Sequence, residues 1–359
     1  MLPQTQEDIL AEQLILPNRV PFERLEDTFA LAADKAGGMT LQRQYQIAGY
    51  PVQVRIVGER LAQQVEAALT HLSVANPRAD ALCIDLWDQQ ATGIAWDITH
   101  ERTNDVLIMM RATEDGRFVC EERPQGEHWL DRTKHRIIGS TTSADQRHLD
   151  ERARPFHKLL ATWLNDRGIQ FIHSGLIEVA GKGLLFAGHG GAGKSTTSIS
   201  CLQSGYQYLG DDFIGIEPNS NGAFVGYGLY ASGLLCTDHL ERFPDLVPYT
   251  HPPFHTHEEK AVFYVADRFP DAMRHKVDIS AIALPKVVNR RHTSYTPASR
   301  VEALLALAPT SVMLLPVPSA KAFHMLAQLV ETVPVYWLEL GSDIDRIPDA
   351  VKQLADEVA

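Results

Sequence analysis

Apolar positions along the chain switch between a period of two and a period near 3.6, and each switch marks an element. Residues 44–58, QYQIAGYPVQVRIVG, alternate apolar and polar around Gly49-Tyr50-Pro51, which predicts a hairpin. ERLAQQVEAALTHL follows with Leu61, Val65, Leu69 and Leu72 at helical spacing. ALCIDLWD reads as a short apolar strand ending at an acidic turn, and DVLIMMRA and RFVCEE flank Glu114-Asp115-Gly116 as a second hairpin. This alternation predicts a smaller α+β domain over residues 1–140, without a motif of chemical content. TSADQRHLDERARPFHKLLATWLNDRG (142–168) carries a stripe of Phe156, Leu159, Leu160 and Trp163 and predicts one bridging helix stopped at Gly168.

From residue 141 to 359 the pattern predicts an α/β domain. IQFIHSGLIEVAGKGLLFAG reads as two strands joined at Ala180-Gly181-Lys182-Gly183. DFIGIEPNSNGAFVGYG reads as strand, polar turn at Asn219 to Gly222, and returning strand. VDISAIALPKVVN is a further strand, SRVEALLALAP a helix stopped by Pro309, and AFHMLAQLVETVP another helix. VYWLELG is a late strand and DIDRIPDAVKQLADEV a closing helix.

Composition narrows the partners. With net charge −12, a pI near 5.7 and no basic stripe, nucleic acid and anionic membrane are not expected. Four scattered cysteines, Cys83, Cys120, Cys201 and Cys236, form no CxxC pair and suit reduced thiols in a cytoplasmic protein. The first residues show no signal peptide, and no apolar run reaches the roughly 18 residues of a spanning helix.

Candidate chemistry is concentrated in residues 183–217. Gly188-His189-Gly190-Gly191-Ala192-Gly193-Lys194-Ser195 fits the phosphate-loop pattern G-x-x-x-x-G-K-[ST], with LLFA as a strand before it and KSTTSISCLQSG as a helix after it. Glycines there let backbone N–H groups turn inward around phosphates, and the helix N-terminus adds partial positive charge. In that pattern Lys194 bridges the β- and γ-phosphates of ATP, and the Ser195 hydroxyl ligates Mg²⁺. Asp211 and Asp212 follow Lys194 by only 17 and 18 positions, just after the strand YQYL. That spacing predicts both carboxylates beside the γ-phosphate, one for the metal and one to take a proton from an attacking hydroxyl. His173 opens IHSGLIEV, 21 residues before Lys194; a half-buried structural histidine is the ordinary reading of such a residue.

The stretch IHSGLIEVAGKGLLFAGHGGAGKST…SGYQYLGDD resembles the kinase domain of the HPr kinase/phosphorylase family, serine kinases on a fold shared with phosphoenolpyruvate carboxykinase. The resemblance is specific over residues 173 to 217. It implies a phosphate-loop kinase domain that uses ATP and Mg²⁺. Carried over by position, it makes Asp211 the general base, Asp212 and Ser195 the metal-side ligands, His173 an assisting residue and Lys194 a phosphate contact. Residues Gly188 to Thr196 become the nucleotide cradle. The remainder is similar to a looser group of relatives, some found with lasso-peptide and other peptide-modification systems, which implies a serine of a protein or precursor peptide as acceptor. A homo-oligomer is a further implication. Three departures count against HPr as acceptor and against a reverse phosphorylase reaction. Thr196 stands where the family usually has Glu, its later glutamate-arginine-glycine signature is absent, and the N-terminal half differs.

Weaker features complete the expectations. THPPFHTHEEK (250–260) holds His251, His255, His257, Glu258, Glu259 and Lys260; its prolines predict a loop near the substrate opening, a metal site being the alternative, with Lys260 a phosphate or substrate contact. Arg290-Arg291-His292 is a small basic patch, and Arg152 and Arg154 are read as structural. Two other functions stand beside the protein kinase: a small-molecule kinase on the same fold, and a regulator that binds ATP without transfer.

Overall fold

The alternation seen in residues 41–57 becomes a hairpin because Ala48 and Gly49 both take left-handed backbone, at φ 48° and 84°. Strands Leu41–Ile47 and Tyr50–Val57 then pair with Ile47 opposite Tyr50. In this computed structural model, residues 15–16, 22–75, 81–96, 109–251, 260–312 and 320–358 are described. They pack as two compact units, residues to Glu66 with Ser73–Trp163, and Ala67–Leu72 with Leu164 onward.

The first unit is an eight-stranded sheet, numbered in chain order β1 (Ile15–Leu16), β2 (Leu41–Ile47), β3 (Tyr50–Val57), β4 (Leu82–Asp88), β5 (Met109–Thr113), β6 (Phe118–Arg123), β7 (Gly126–Asp131) and β8 (Arg136–Thr141). Its order is β1-β5-β6-β7-β8-β4-β3-β2. Helix α1 (Phe22–Lys35) lays Phe22, Leu25, Phe29 and Ala32 against Val57, Trp87, Trp129 and Ile138. Burial of such side chains contributes about 1.5–3 kcal/mol each. Across β3, β4 and β8, Asp85 has no exposed surface and accepts paired hydrogen bonds from Arg55 and Arg136.

The single bridging helix expected over 142–168 is broken. A 3-10 turn at Ala144–Gln146 precedes two helices, Leu149–Ala153 and His157–Asn165. Pro155 has no N–H to donate and crowds the residue before it, so Arg154 leaves the helical region at φ −139°, ψ 70°. Phe156 then takes φ 59° before the second helix begins. Gly168, at φ 89°, follows that helix where a stop was expected.

The second unit is mixed α/β. Its main sheet contains β9 (Gln170–His173), β10 (Gly175–Val179), β11 (Lys182–Phe186), β12 (Gln207–Gly210), β13 (Phe213–Pro218) and β14 (Phe224–Gly228). A separate three-stranded sheet is built from β15 (Ser232–Cys236), β16 (Thr250–His251) and β17 (Lys260–Tyr264). The main sheet adds β18 (Lys276–Val287), β19 (Ser294–Pro297) and β20 (Val335–Leu340), in the order β12-β10-β11-β18-β14-β13-β9 with β20 on β18 and β19 on β20. Thus the segment expected to give two strands gives three, because the backbone turns away at Ser174 between β9 and β10.

Both faces of this sheet are covered, which explains why its strands read as apolar runs rather than alternations. On one face Leu176, Leu185 and Ile282 meet Ala303, Leu307, Leu326 and Leu329, from helices Arg300–Val312 and Ala320–Thr332. On the other, Ile177, Leu184, Phe186 and Ala283 meet Cys201, Val351 and Leu354. Those last three come from helices Lys194–Gln203 and Ile347–Glu357. Pro309, expected to stop its helix, lies inside it. Cys83, Cys120, Cys201 and Cys236 are all free thiols.

Candidate functional site

The glycine-rich loop runs from the end of β11 to the first turn of the helix Lys194–Gln203, with Gly191 at φ 80° and Gly193 at φ 109°. Gly193 is required twice over. Its backbone lies in the left-handed region, and a Cβ there would sit 2.3 Å from Leu340 Cδ1. Lys194 is buried and folds back on the loop, its Nζ donating to the carbonyls of Gly188 at 2.7 Å and His189 at 3.3 Å. Burial above all, with the charge of Lys260, lowers its pKa from the ordinary ammonium value; Asp212 and Asp211 act in the opposite direction.

Strand pairing brings the aspartates to this loop. Strand β12 pairs with β10 and β13 with β9, so the chain changes partners at Asp211-Asp212, just as β9 gives way to β10 at Ser174. The two breaks meet: the Ser174 N–H donates to the Asp212 carbonyl at 3.0 Å. Phe213 pairs with His173, and the His173 Nε2 lies 2.7 Å from Asp212 Oδ1. The His173 ring is tilted against Phe213 at 5.1 Å. The histidine whose ordinary reading was structural therefore touches one of the two candidate acids. Asp211 is 3% exposed and lies against Gly233 of β15. Beside it, burial and then the Asp211 charge push the Tyr208 phenol well above its ordinary pKa.

These residues line one cleft of about 700 Å³. His173, Gly190, Gly191, Gly193, Lys194, Ser195, Thr196, Asp211 and Asp212 all border it. Gly188, His189 and Ala192 instead border a neighbouring hollow of about 600 Å³ with Leu305 and Trp337, which shares Gly190, Gly191 and Val287 with the cleft. Ser195 and Asp212 offer a hydroxyl and a carboxylate, the hard oxygen donors that suit Mg²⁺.

Sequence reasoning missed much of the lining that comes from β15 and the helix after it. Cys236, Asp238, His239 and Arg242, from β15 and the helix Thr237–Arg242, border the same cleft. Their only sequence signal is a run of polar residues after an apolar strand, which marks a loop as readily as a site. The Cys236 Sγ lies 3.2 Å from His239 Nδ1. Lys260, expected as a contact, also borders the cleft. Of the histidine-rich stretch Thr250, His251 and Lys260 are described, and His251 lies 3.4 Å from Asp267; His255, His257, Glu258 and Glu259 are outside the described residues. Arg290 and Arg291 pair with Glu339 at 3.2 Å and Asp343 at 3.7 Å.

Comparison with known proteins points the same way as the loop. An HPr kinase/phosphorylase of Treponema pallidum is 33% identical over 61 residues, 17% of this chain and 19% of that protein. One from Clostridium tetani is 28% identical over 130 residues, 36% of this chain and 38% of that protein. Over these segments the chain is similar to HPr kinase/phosphorylases. It thus matches well under half the length of either relative. No family model matches it. The solved structure of the HPr(Ser) kinase/phosphatase from Coxiella burnetii aligns with 52% of this chain and 94% of that one, at 13% identity and a TM-score of 0.27, too low to bear on mechanism.

Proposed function

We propose that the protein transfers the γ-phosphoryl group of ATP to a serine hydroxyl of a protein or precursor peptide. The observation that carries this reading is the convergence of Asp211, Asp212, His173 and Lys194 on one cleft beside the glycine-rich loop. ATP lies with its phosphates on the backbone of residues 188–196 and against Lys194. Ser195 and Asp212 would hold Mg²⁺, which would neutralise phosphate charge. The His173 contact at 2.7 Å orients the Asp212 carboxylate.

Asp211 takes the serine proton as the hydroxyl oxygen approaches phosphorus. The new O–P bond forms as the bond to the β-phosphate oxygen breaks, leaving ADP and a phosphoserine. Such a reaction asks for positioning and charge stabilisation rather than a covalent enzyme intermediate. The fold as a phosphate-loop kinase domain of the carboxykinase type, with the first unit in recognition or assembly, belongs to the same reading.

The test is incubation with γ-labelled ATP, Mg²⁺ and a degenerate library of serine-containing peptides, comparing the wild type with Asp211→Asn. Label should enter peptide in the wild type, fall about 10²- to 10⁴-fold in the variant, and leave ATP binding intact. Label entering metabolites would favour a small-molecule kinase. Tight ATP binding without transfer would favour a regulator.

A further inference from the structure

The phosphate loop and the strands beside it supply one cation, Lys194, against two carboxylates. That arithmetic is unfavourable for the ligand proposed. The cleft brings a third acid, Asp238, to the wall built by β15 and the helix Thr237–Arg242. Bound Mg²⁺ cancels only about half of the charge on a triphosphate, so an anionic ligand would enter an anionic site if Lys194 worked alone. The same wall corrects the imbalance. Arg242, at the end of the helix Thr237–Arg242, and Lys260, at the first position of β17, both border the cleft. With them the lining holds three aspartates, three fixed cations and two histidines, His173 and His239.

We infer that Arg242 and Lys260 form a cationic clamp on the polyphosphate of the nucleotide, in the cleft that the glycine-rich loop also borders. The small sheet explains how they are held. Cys236 pairs with Lys260 across β15 and β17, so the residue that starts the helix of Arg242 and the residue that carries the amine are cross-strand neighbours. Both cations are exposed, and neither forms an ion pair with another described residue. The charge of Lys260 reaches both walls, lowering the pKa of Lys194 on one side and of His239 on the other. For His239, burial is the larger cause, Arg242 adds to it, and Asp238 opposes it. Mutually repelling cations around an open cleft are relieved by an anion between them.

This inference rests on the nucleotide reading, and its test separates the two. Full-length protein is titrated with Mg·ATP and with inorganic tripolyphosphate, by calorimetry, at low and high salt. Lys260→Met and Arg242→Met remove charge while keeping bulk. Each should weaken both probes about 10-fold, with roughly multiplicative loss in the double variant and a shallower salt dependence; Lys260→Arg should restore binding. Thermal melts should be unchanged, since both side chains are exposed. If the wild type binds both probes and both Met variants match it within twofold, the clamp is refuted and the nucleotide reading survives. If the wild type binds neither, both fall. Weakening of ATP but not of tripolyphosphate would also refute the clamp, because it would place the cations away from the phosphates.

Discussion

Asp85 and Asp211 are both carboxylates sunk almost completely below the surface, and the protein treats them in opposite ways. Asp85, in the first unit, receives Arg55 at 2.6 and 2.7 Å and Arg136 at 2.9 and 2.6 Å, two planar forks on one carboxylate. Asp211, in the second, borders an open cleft with Asp212 next to it and Lys194 on the same lining. Geometry of the first kind fills the lone pairs and locks three strands; nothing is left for a ligand. Geometry of the second kind sets a carboxylate at the edge of a cleft that a ligand can enter. The difference teaches that burial alone does not mark a working acid: the partners and the opening do.

The largest effect that could break this comparison is at Asp211 itself. If Asp211→Asn drops transfer by about 10²- to 10⁴-fold while leaving the denaturation midpoint unchanged or higher, the acid is there for chemistry. Asp85→Ala should do the reverse. It takes the shared carboxylate from Arg55 and leaves Arg136 with Glu26 alone, so the unfolding free energy of the first unit should fall by about 1–3 kcal/mol by urea titration. Equal stability losses at both sites would erase the distinction.

Gly193→Ala sits between these extremes, since it alters the loop without touching a charge. Strain at φ 109° and the contact with Leu340 should cost about 1–3 kcal/mol in thermal stability, with a disproportionate loss of ATP affinity. A buried histidine sharpens the contrast further. His71 is held near pKa 3 by burial first and by the nearby His275, and neither of its ring nitrogens has a partner among the described residues. The unfolded chain takes a proton near pH 6.5 that the folded chain refuses, so stability is full above that pH and is lost as pH falls toward about 3. His71→Phe should remove up to about 1.4 kcal/mol per pH unit from that acid slope in urea midpoints measured from pH 7 to 4. Smallest of all, His173→Gln should lower turnover roughly 10-fold and raise the Mg²⁺ concentration needed, without changing the melt.

Much of the second unit was legible because its information is local. Strand β11, the loop and the helix Lys194–Gln203 are contiguous in the chain. The bridging helix was misread because the stripe Phe156, Leu159, Leu160 and Trp163 is real but begins only after Pro155, which outweighs periodicity. Pro309 was misread in the other direction, as a stop, although the helix continues to Val312. The part of the cleft supplied by β15 and its helix was mostly illegible. Cys236, Asp238, His239 and Arg242 lie 42 to 48 positions beyond Lys194, and no spacing rule connects them to it.

The sequence by itself determined the elements that depend on near neighbours: the glycine pattern of the loop, the periodicities of the strands and helices, and the residues able to carry charge. Tertiary structure decided which charges meet. Pairing of β9 with β13 set His173 against Asp212, and pairing of β15 with β17 set Lys260 beside the helix of Arg242. The physical reason is that backbone conformation is governed within a few residues, whereas an electrostatic site is governed by distance in space, and only the folded chain makes distant residues neighbours.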